Sequence, residues 1–151
     1  SGMTSEQVHA TCVSVDSQGV LLRGPSGSGK SDLALRLMDQ GGILVADDRV
    51  NLNTKDGHVI ASAPSEIAGL FEARGVGILR LASLDSVAVQ LVVDLVDTDD
   101  VPRLPIDPTV NLLGTEMRHL RLNAFAASTP AKIRLALGAS RDAMVEPSWP
   151  K

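Results

Sequence analysis

The chain has 151 residues, 44% of them apolar and 21% charged, with 14 basic side chains against 18 acidic ones. This length predicts one domain with a hydrophobic core of its own. Two Phe, one Trp and no Tyr leave few aromatic rings, and a net charge of -4 argues against a basic surface stripe. Together these features exclude the usual nucleic-acid-binding classes and favour a core of Val, Leu, Ile and Ala.

The ends of the chain and its lone cysteine further limit the kind of protein that the sequence can encode. Ser1-Gly2-Met3 has the composition of a tag remnant, so we expect one domain over residues 4–146 and a short tail over residues 147–151. Cys12 cannot form an internal disulfide, and its apolar neighbours indicate a core position. The sequence has neither a membrane-spanning stretch nor a signal peptide, which predicts a cytoplasmic protein with no membrane partner.

The first third of the chain predicts strands and one helix in close succession. Residues 11–16 and 20–23 form a predicted hairpin around a turn at residues 16–19. Residues 24–29 are too rich in glycine for regular structure, and residues 31–40 then predict a short buried helix that ends at Gly41-Gly42. The apolar run at residues 43–46 is typical of a buried strand, and residues 50–53 and 58–63 predict a second hairpin.

After residue 63, the hydrophobic pattern of the sequence is less periodic. We expect a helical turn at residues 65–71, a loop at residues 72–77, a central strand at residues 87–96 and a proline-rich loop at residues 98–109. His119, Arg121 and Asn123 alternate with leucines, which predicts a strand with one solvent-facing side. A last helix is predicted from Pro130 to Leu137, before Gly138. The predicted fold class is therefore α/β, with a mixed sheet and a hairpin before the glycine-rich loop.

The glycine-rich segment matches the phosphate-binding motif G-x-x-x-x-G-K-[ST] at every position. Its glycines allow successive backbone N–H groups to turn toward an anion, and the following helix directs its positive end to the same place. Lys30 is expected to reach the β- and γ-phosphates, and the Ser31 hydroxyl is a ligand for Mg²⁺. The predicted nucleotide-binding residues are Gly24, Pro25, Ser26, Gly27, Ser28, Gly29, Lys30 and Ser31. With so few aromatic rings, we expect the phosphates and the metal to supply most of the nucleotide affinity, and the base to be held loosely.

The metal also needs a carboxylate, for which the sequence offers two places. A ten-residue helix runs ~15 Å away from the loop, and a strand of four or five residues returns ~13–17 Å. Asp47 and Asp48, which follow the strand at residues 43–46, are therefore expected level with the phosphate loop. Asp94, after Leu91-Val92-Val93, is the other candidate, although a structural charge at a strand end is the more ordinary interpretation. Two adjacent carboxylates suit one metal ligand and one proton acceptor.

These residues together resemble one family, the catalytic domain of bacterial HPr kinase/phosphorylase. The resemblance lies in Val8-His9-Ala10, the hairpin and phosphate loop over residues 19–31, Leu44 to Val50 with its double Asp, and the Glu-x-Arg-Gly-x-Gly segment of residues 72–77. It covers about residues 8–80. It implies a fold of the HPr kinase/PEP carboxykinase type, in a form limited to the catalytic core, and an oligomeric assembly.

The resemblance also implies an activity and roles for individual residues. The activity is ATP-dependent phosphorylation of a serine of HPr, the phosphocarrier of the sugar phosphotransferase system, which family members also reverse by phosphorolysis. Asp47 corresponds to the general base, and His9 to the active-site histidine that assists it. Asp48, with Ser31 and Glu72, corresponds to the metal ligands, and Arg74 to a residue that contacts phosphate or the partner. On the residues alone, Glu72 and Arg74 are a solvated pair in a glycine loop.

The resemblance fades after residue 80, and alternatives stay open. Where the family carries a Pro-Gly-Arg-Asn-like segment linked to phosphorolysis, this chain has residues 105–111 without that Gly or Arg. A small-metabolite kinase would need an arginine-rich lid, for which only scattered arginines are available: Arg118, Arg121, Arg134 and Arg141. A non-catalytic ATP-sensing module is the third interpretation, and retention of both Asp47 and Asp48 argues against it. The phosphate donor, ATP or pyrophosphate, is also open.

Overall fold

A computed structural model describes residues 5–139 and 143–147 of the chain. Its two helices are α1 (Lys30–Asp39) and α2 (Thr129–Gly138), and single 3-10 turns occur at Ser65–Ile67 and Thr98–Asp100. The strands in chain order are β1 (Ser5–Val8), β2 (Thr11–Val15), β3 (Gln18–Arg23), β4 (Ile43–Ala46), β5 (Val50–Lys55), β6 (His58–Ser62), β7 (Leu70–Ala73), β8 (Gly77–Arg80), β9 (Val87–Leu95), β10 (Thr109–Leu112) and β11 (Thr115–Leu122). The predicted tag remnant, residues 1–3, and most of the predicted tail, residues 148–151, lie outside the described residues.

Nine of these strands form one mixed sheet, and β7 and β8 form a separate hairpin. The sheet order is β1-β5-β6-β9-β3-β2-β4, and β11 lies parallel to β9 with β10 antiparallel beside it. Strand β9 pairs with three neighbours, β3, β6 and β11, which confirms its predicted central position. Both predicted hairpins are present as β2–β3 and β5–β6. The mixed α/β fold predicted from the sequence is therefore confirmed.

The sheet is buried on both faces at β2, the strand that pairs with β3 and so lies next to the start of the phosphate loop. All five residues of β2 are buried, and their side chains alternate between two core clusters. Val13 and Val15 pack on the side of α1 and α2, whereas Cys12 packs on the side of β5 and β6. Each such side chain contributes about 1.5–3 kcal/mol by leaving water. Burial also raises the pKa of the Cys12 thiol to about 12, in keeping with a core residue rather than a nucleophile.

Strand β4 carries the two adjacent carboxylates to the level of the phosphate loop. It pairs antiparallel with β2, which itself pairs antiparallel with β3, so β4 and β3 run in the same direction. The strand thus has the direction that we predicted, although an antiparallel strand separates it from β3. Because strands of one direction end at the same edge, Asp47 and Asp48 lie beside the loop that follows β3.

Two predictions in the middle of the chain are correct only in part. The expected helical turn at residues 65–71 is limited to Ser65–Ile67, and the expected loop at residues 72–77 is reduced to a turn at residues 74–76, because β7 pairs with β8 on either side of it. Both strands are only four residues long and contain glycine or charge, so their pairing leaves a weak periodic signal. Gly75, with φ 91°, supplies the left-handed conformation that the tight turn between them requires.

The predicted solvent-facing side of β11 is also corrected. His119 is only 2% exposed. The proline-rich segment between the Thr98–Asp100 turn and β10 covers it, because the backbone N–H of His119 donates to the Pro108 carbonyl and Nδ1 lies 2.9 Å from the Asp107 carbonyl oxygen. Alternation of polar and apolar residues predicts which face of a strand is polar. It does not show whether an irregular loop covers that face.

Candidate active site

The phosphate-binding motif forms the loop between β3 and α1, as predicted. Its backbone turns on Gly27 (φ 85°) and Gly29 (φ 97°), and Gly29 directly precedes the first residue of α1. The N–H of Ser28 donates to the carbonyl of Pro25, and the N–H of Leu33 closes the first helical turn on Gly29. These left-handed positions let consecutive N–H groups face one point, which is the geometry of an anion-binding nest at a helix N-terminus.

Lys30 folds over this loop from the first turn of α1. Its Nζ donates to the carbonyl oxygens of Gly24 at 2.6 Å and of Pro25 at 3.1 Å, and the residue is only 8% exposed. Burial lowers the pKa of the Lys30 ammonium, an effect that the negative charges of Asp48 and Asp47 oppose. The ammonium therefore lies at the loop with two carboxylates in electrostatic range.

Asp47 is held between β2 and the phosphate loop by two hydroxyl groups. Its Oδ1 accepts a hydrogen bond from Thr11 Oγ1 at 3.0 Å and another from Ser31 Oγ at 2.8 Å, and the residue is 8% exposed. Both bonds hold Oδ1 in place, and neither involves Oδ2. The expected proximity of the double Asp to the phosphate loop is therefore confirmed.

Asp48 faces solvent and pairs with His9. Nε2 of His9 lies 2.9 Å from Oδ1 of Asp48, and more than half of each side chain is exposed. The Asp48 backbone has φ 74°, a conformation costly for a residue with a Cβ, and its carbonyl accepts a hydrogen bond from the N–H of Ala10. His9 thus contacts the second carboxylate, whereas the sequence predicts that it assists the first.

Glu72 and Arg74 reach the same place from the β7–β8 hairpin. Both side chains are exposed and line a cavity of about 400 Å³. The walls of this cavity also include five residues of the predicted nucleotide-binding set, Ser26, Gly27, Gly29, Lys30 and Ser31, together with His9 and Asp48. Gly24, Pro25 and Ser28 shape the loop but do not line the cavity, and Asp47 lies beneath Ser31 and Thr11.

The donor set at this cavity suits Mg²⁺ rather than a caged metal. Within residues 5–139 and 143–147, no group of three or more His, Cys, Asp or Glu side chains comes together to hold a metal. Mg²⁺ normally needs only one or two protein oxygens, since water and substrate phosphates complete its octahedron. The Ser31 hydroxyl, which keeps lone pairs free while its proton is donated to Asp47, and the exposed carboxylate of Asp48 fit that requirement.

Asp94, the alternative metal carboxylate, is engaged elsewhere. Arg23 donates to both of its oxygens, from Nε at 2.8 Å and from Nη2 at 2.9 Å, and His119 Nε2 lies 2.7 Å from Oδ2. Burial raises the pKa of the Asp94 carboxyl, but the hydrogen bonds from His119 and Arg23 and their positive charges outweigh it. The result is a pKa well below the ordinary value. Asp94 is thus a structural charge at a strand end, and it joins β3, β9 and β11 just below the phosphate loop.

Replacing Asp94 with asparagine is expected to lower the free energy of unfolding by about 2–4 kcal/mol at pH 7, because Arg23 loses its counter-charge and Arg23 and His119 lose their carboxylate partner. The folded-state pKa lies below the unfolded one, so the stabilisation is present above about pH 4 and is lost as the pH falls toward the folded-state pKa. Denaturant unfolding across pH tests this, with the exposed Asp85→Asn as control. Equal stability of wild type and Asp94→Asn at pH 7 would contradict the prediction.

Among the cavity residues that the sequence analysis did not predict, two matter for the site. Thr11 positions Asp47, and Phe125 lines the cavity from the segment after β11. The position of Thr11 next to the Val8-His9-Ala10 segment is a usable signal for the first. For Phe125, the signal in the sequence is that aromatic residues are scarce. That scarcity does not indicate where in the fold the ring lies.

The arrangement matches a known family. The family model described as the HPr Serine kinase C-terminal domain matches residues 3–134. This chain belongs to the HPr serine kinase C-terminal domain family. Its double Asp, phosphate loop and β7–β8 hairpin, which carried the sequence resemblance, all meet at one cavity in the structure.

Curated relatives and a solved structure agree with membership of the HPr serine kinase family. The chain is 35% identical over 125 residues to an HPr kinase/phosphorylase of Clostridium botulinum, covering 76% of this chain and 41% of that protein. It is 45% identical over 96 residues to one of Streptococcus thermophilus, covering 58% and 31%. The structure of the Hpr(Ser) kinase/phosphatase from Coxiella burnetii is similar, with a TM-score of 0.76 and 29% identity, over 87% of this chain and 88% of the solved one. The chain spans less than half the length of these curated relatives.

The described part of the chain contains no helix long and apolar enough to cross a membrane.

Proposed function

We propose that this chain is an ATP-dependent protein serine kinase that phosphorylates HPr, with Mg²⁺ as its metal ion. The observation that carries the proposal is the contact between Ser31 of the phosphate loop and Asp47, beside the Asp48–His9 pair. A phosphate-binding nest, a metal-ligating hydroxyl and two carboxylates are the groups that phosphoryl transfer to a hydroxyl requires. Family membership adds HPr as the protein substrate, since the similar proteins are named for it.

The proposed reaction is in-line transfer of the γ-phosphoryl group. The loop N–H groups and Lys30 bind the phosphates, and the serine oxygen of HPr attacks the γ-phosphorus as the bond to the β–γ bridging oxygen breaks. ADP leaves with that oxygen, and the serine proton passes to Asp47. We assign this role to Asp47 because two hydroxyl groups hold Oδ1 and neither bond occupies Oδ2.

The remaining residues support the charges of this reaction. Ser31, Asp48 and Glu72 would hold Mg²⁺, which supplies positive charge to the β- and γ-phosphate oxygens when bound. His9 orients Asp48, given the 2.9 Å contact between them. Arg74, exposed on the β7–β8 hairpin at the cavity wall, would meet the incoming protein or its phosphate.

The proposal extends to the reverse reaction, in line with the phosphorylase part of the relatives' names, although residues 105–111 lack the Gly and Arg of the segment that the resemblance links to phosphorolysis. Inorganic phosphate would attack the phosphorus of the HPr phosphoserine, and the bond from that phosphorus to the serine oxygen would break. The products are pyrophosphate and HPr with its serine hydroxyl restored, the proton of which Asp47 returns. A cytoplasmic location and an assembly of several copies stay predictions.

The direct test is phosphorylation of HPr by the purified chain. Incubation with Mg²⁺, γ-labelled ATP and HPr is expected to label HPr on one serine, identified by mass spectrometry. The matched control is HPr with that serine replaced by alanine, which should stay unlabelled. Absence of label on HPr, together with ATP turnover on small molecules, would support the metabolite-kinase alternative. ATP binding without any transfer would support the sensor alternative.

A further inference from the structure

Phe125 lies beside the phosphate loop although it is far from it in sequence. The residue follows β11, is 62% exposed and lines the same cavity as Ser31 and Lys30. A Cβ placed on Gly29 would lie 2.8 Å from Cζ of the Phe125 ring, so the ring packs against the loop backbone. One of only two phenylalanines in the chain therefore lies at the cavity wall, largely exposed, instead of in the core.

The segment that carries Phe125 is held rigidly. Asn123 accepts a hydrogen bond from the N–H of Phe125 at 3.0 Å and donates to the carbonyl of Val96 at 3.0 Å. The guanidinium of Arg36, on α1, donates to the carbonyls of Ala124 and Ala126. The Phe125 backbone is thus tied to β9 and to α1, and the ring extends from this fixed backbone onto the phosphate loop at Gly29.

The sheet topology puts this ring at the end of the site opposite to the carboxylates. Strands β2 and β4, which carry His9, Asp47 and Asp48 at their ends, lie on one side of β3, whereas β9 and β11 lie on the other. The Lys30 and carboxylate end suits the β- and γ-phosphates. The rest of a bound nucleotide therefore extends toward the β11 side, where Phe125 lies.

We propose that Phe125 is the stacking surface for the nucleobase of the phosphate donor. This inference rests on the proposed function only in requiring that the donor be a nucleoside triphosphate. An aromatic face binds any base through its π-system, and a rigid surface loses little conformational freedom when the base arrives. Leu35, 44% exposed on α1 and part of the same cavity wall, adds apolar surface near it.

Calorimetric titration of a non-hydrolysable ATP analogue and of inorganic tripolyphosphate, each with Mg²⁺, tests the proposal. Tripolyphosphate offers the phosphates without a base. Phe125→Ala is expected to weaken binding of the analogue by roughly 5- to 150-fold and to leave tripolyphosphate binding unchanged. Phe125→Trp should restore binding of the analogue, and Leu135→Ala, at another exposed apolar position, on α2, should change the binding of neither ligand.

Each other outcome separates this inference from the proposed function. If the wild-type protein binds the analogue and tripolyphosphate equally well, or if Phe125→Ala binds the analogue normally, the stacking role is wrong and the kinase proposal stands. If Phe125→Ala weakens both ligands equally, the ring only supports the phosphate loop, and the inference is again overturned. If the wild-type protein binds tripolyphosphate but not the analogue, both the stacking role and ATP as donor are overturned.

Discussion

Replacing Lys30 with alanine is expected to abolish measurable ATP binding and phosphoryl transfer. Lys30 is the cation of the phosphate loop, and its Nζ already lies within hydrogen-bond distance of two loop carbonyls. Charge-assisted hydrogen bonds contribute about 1.5–3 kcal/mol each, so the loss of two phosphate contacts corresponds to roughly 10²- to 10⁴-fold in affinity. Calorimetric titration with Mg²⁺ and ATP measures the effect.

The Lys30 experiment needs a control for folding, because the side chain is buried and its ammonium pairs with Gly24 and Pro25. Lys132→Ala, at an exposed position on α2, removes the same charge away from the cavity and should bind ATP normally. Thermal unfolding of both variants shows whether the loop change spreads to the core. A folded Lys30→Ala protein with wild-type ATP affinity would remove the phosphate loop from the mechanism.

Replacing Asp47 with asparagine is expected to separate transfer from binding. Asparagine keeps an oxygen that can accept from Thr11 and Ser31, so the local geometry should persist. Its amide cannot take up the serine proton, and loss of a general base typically costs about 10²- to 10⁴-fold in rate. ATP affinity should stay near the wild-type value, while transfer to HPr, measured in single-turnover experiments, falls by that factor.

Asp48→Asn is the matched comparison, because it makes the same chemical change one residue away. We expect it to raise the Mg²⁺ concentration needed for half-maximal transfer, since Asp48 is the exposed carboxylate assigned to the metal. Extra Mg²⁺ should then recover part of the activity of Asp48→Asn and none of that of Asp47→Asn. If extra Mg²⁺ instead recovers the activity of Asp47→Asn and not that of Asp48→Asn, Asp47 is the metal ligand. The proton acceptor is then Asp48, the partner of His9.

The β2–β3 hairpin, β4 and α1 could be predicted because residues next to each other in the sequence indicate each of them. The β2–β3 hairpin has a turn sequence, β4 is a short apolar run, and α1 has a glycine stop. The β7–β8 hairpin could not be predicted, because its four-residue strands are held by pairing with each other rather than by a hydrophobic pattern. His119 was misplaced for a related reason, since the segment that covers it has no regular structure.

The candidate site divides in the same way. The phosphate loop, its lysine, the level to which Asp47 and Asp48 return, and the family could all be predicted from the residues, because residue type, spacing and strand direction are sufficient for these. Three-dimensional contacts were needed to show that Ser31 bonds to Asp47 while His9 bonds to Asp48, that Arg23 and His119 bond to Asp94, and that Phe125 meets the loop at Gly29. Those contacts join residues far apart in the chain, and sheet order and register alone bring them within hydrogen-bond or van der Waals distance.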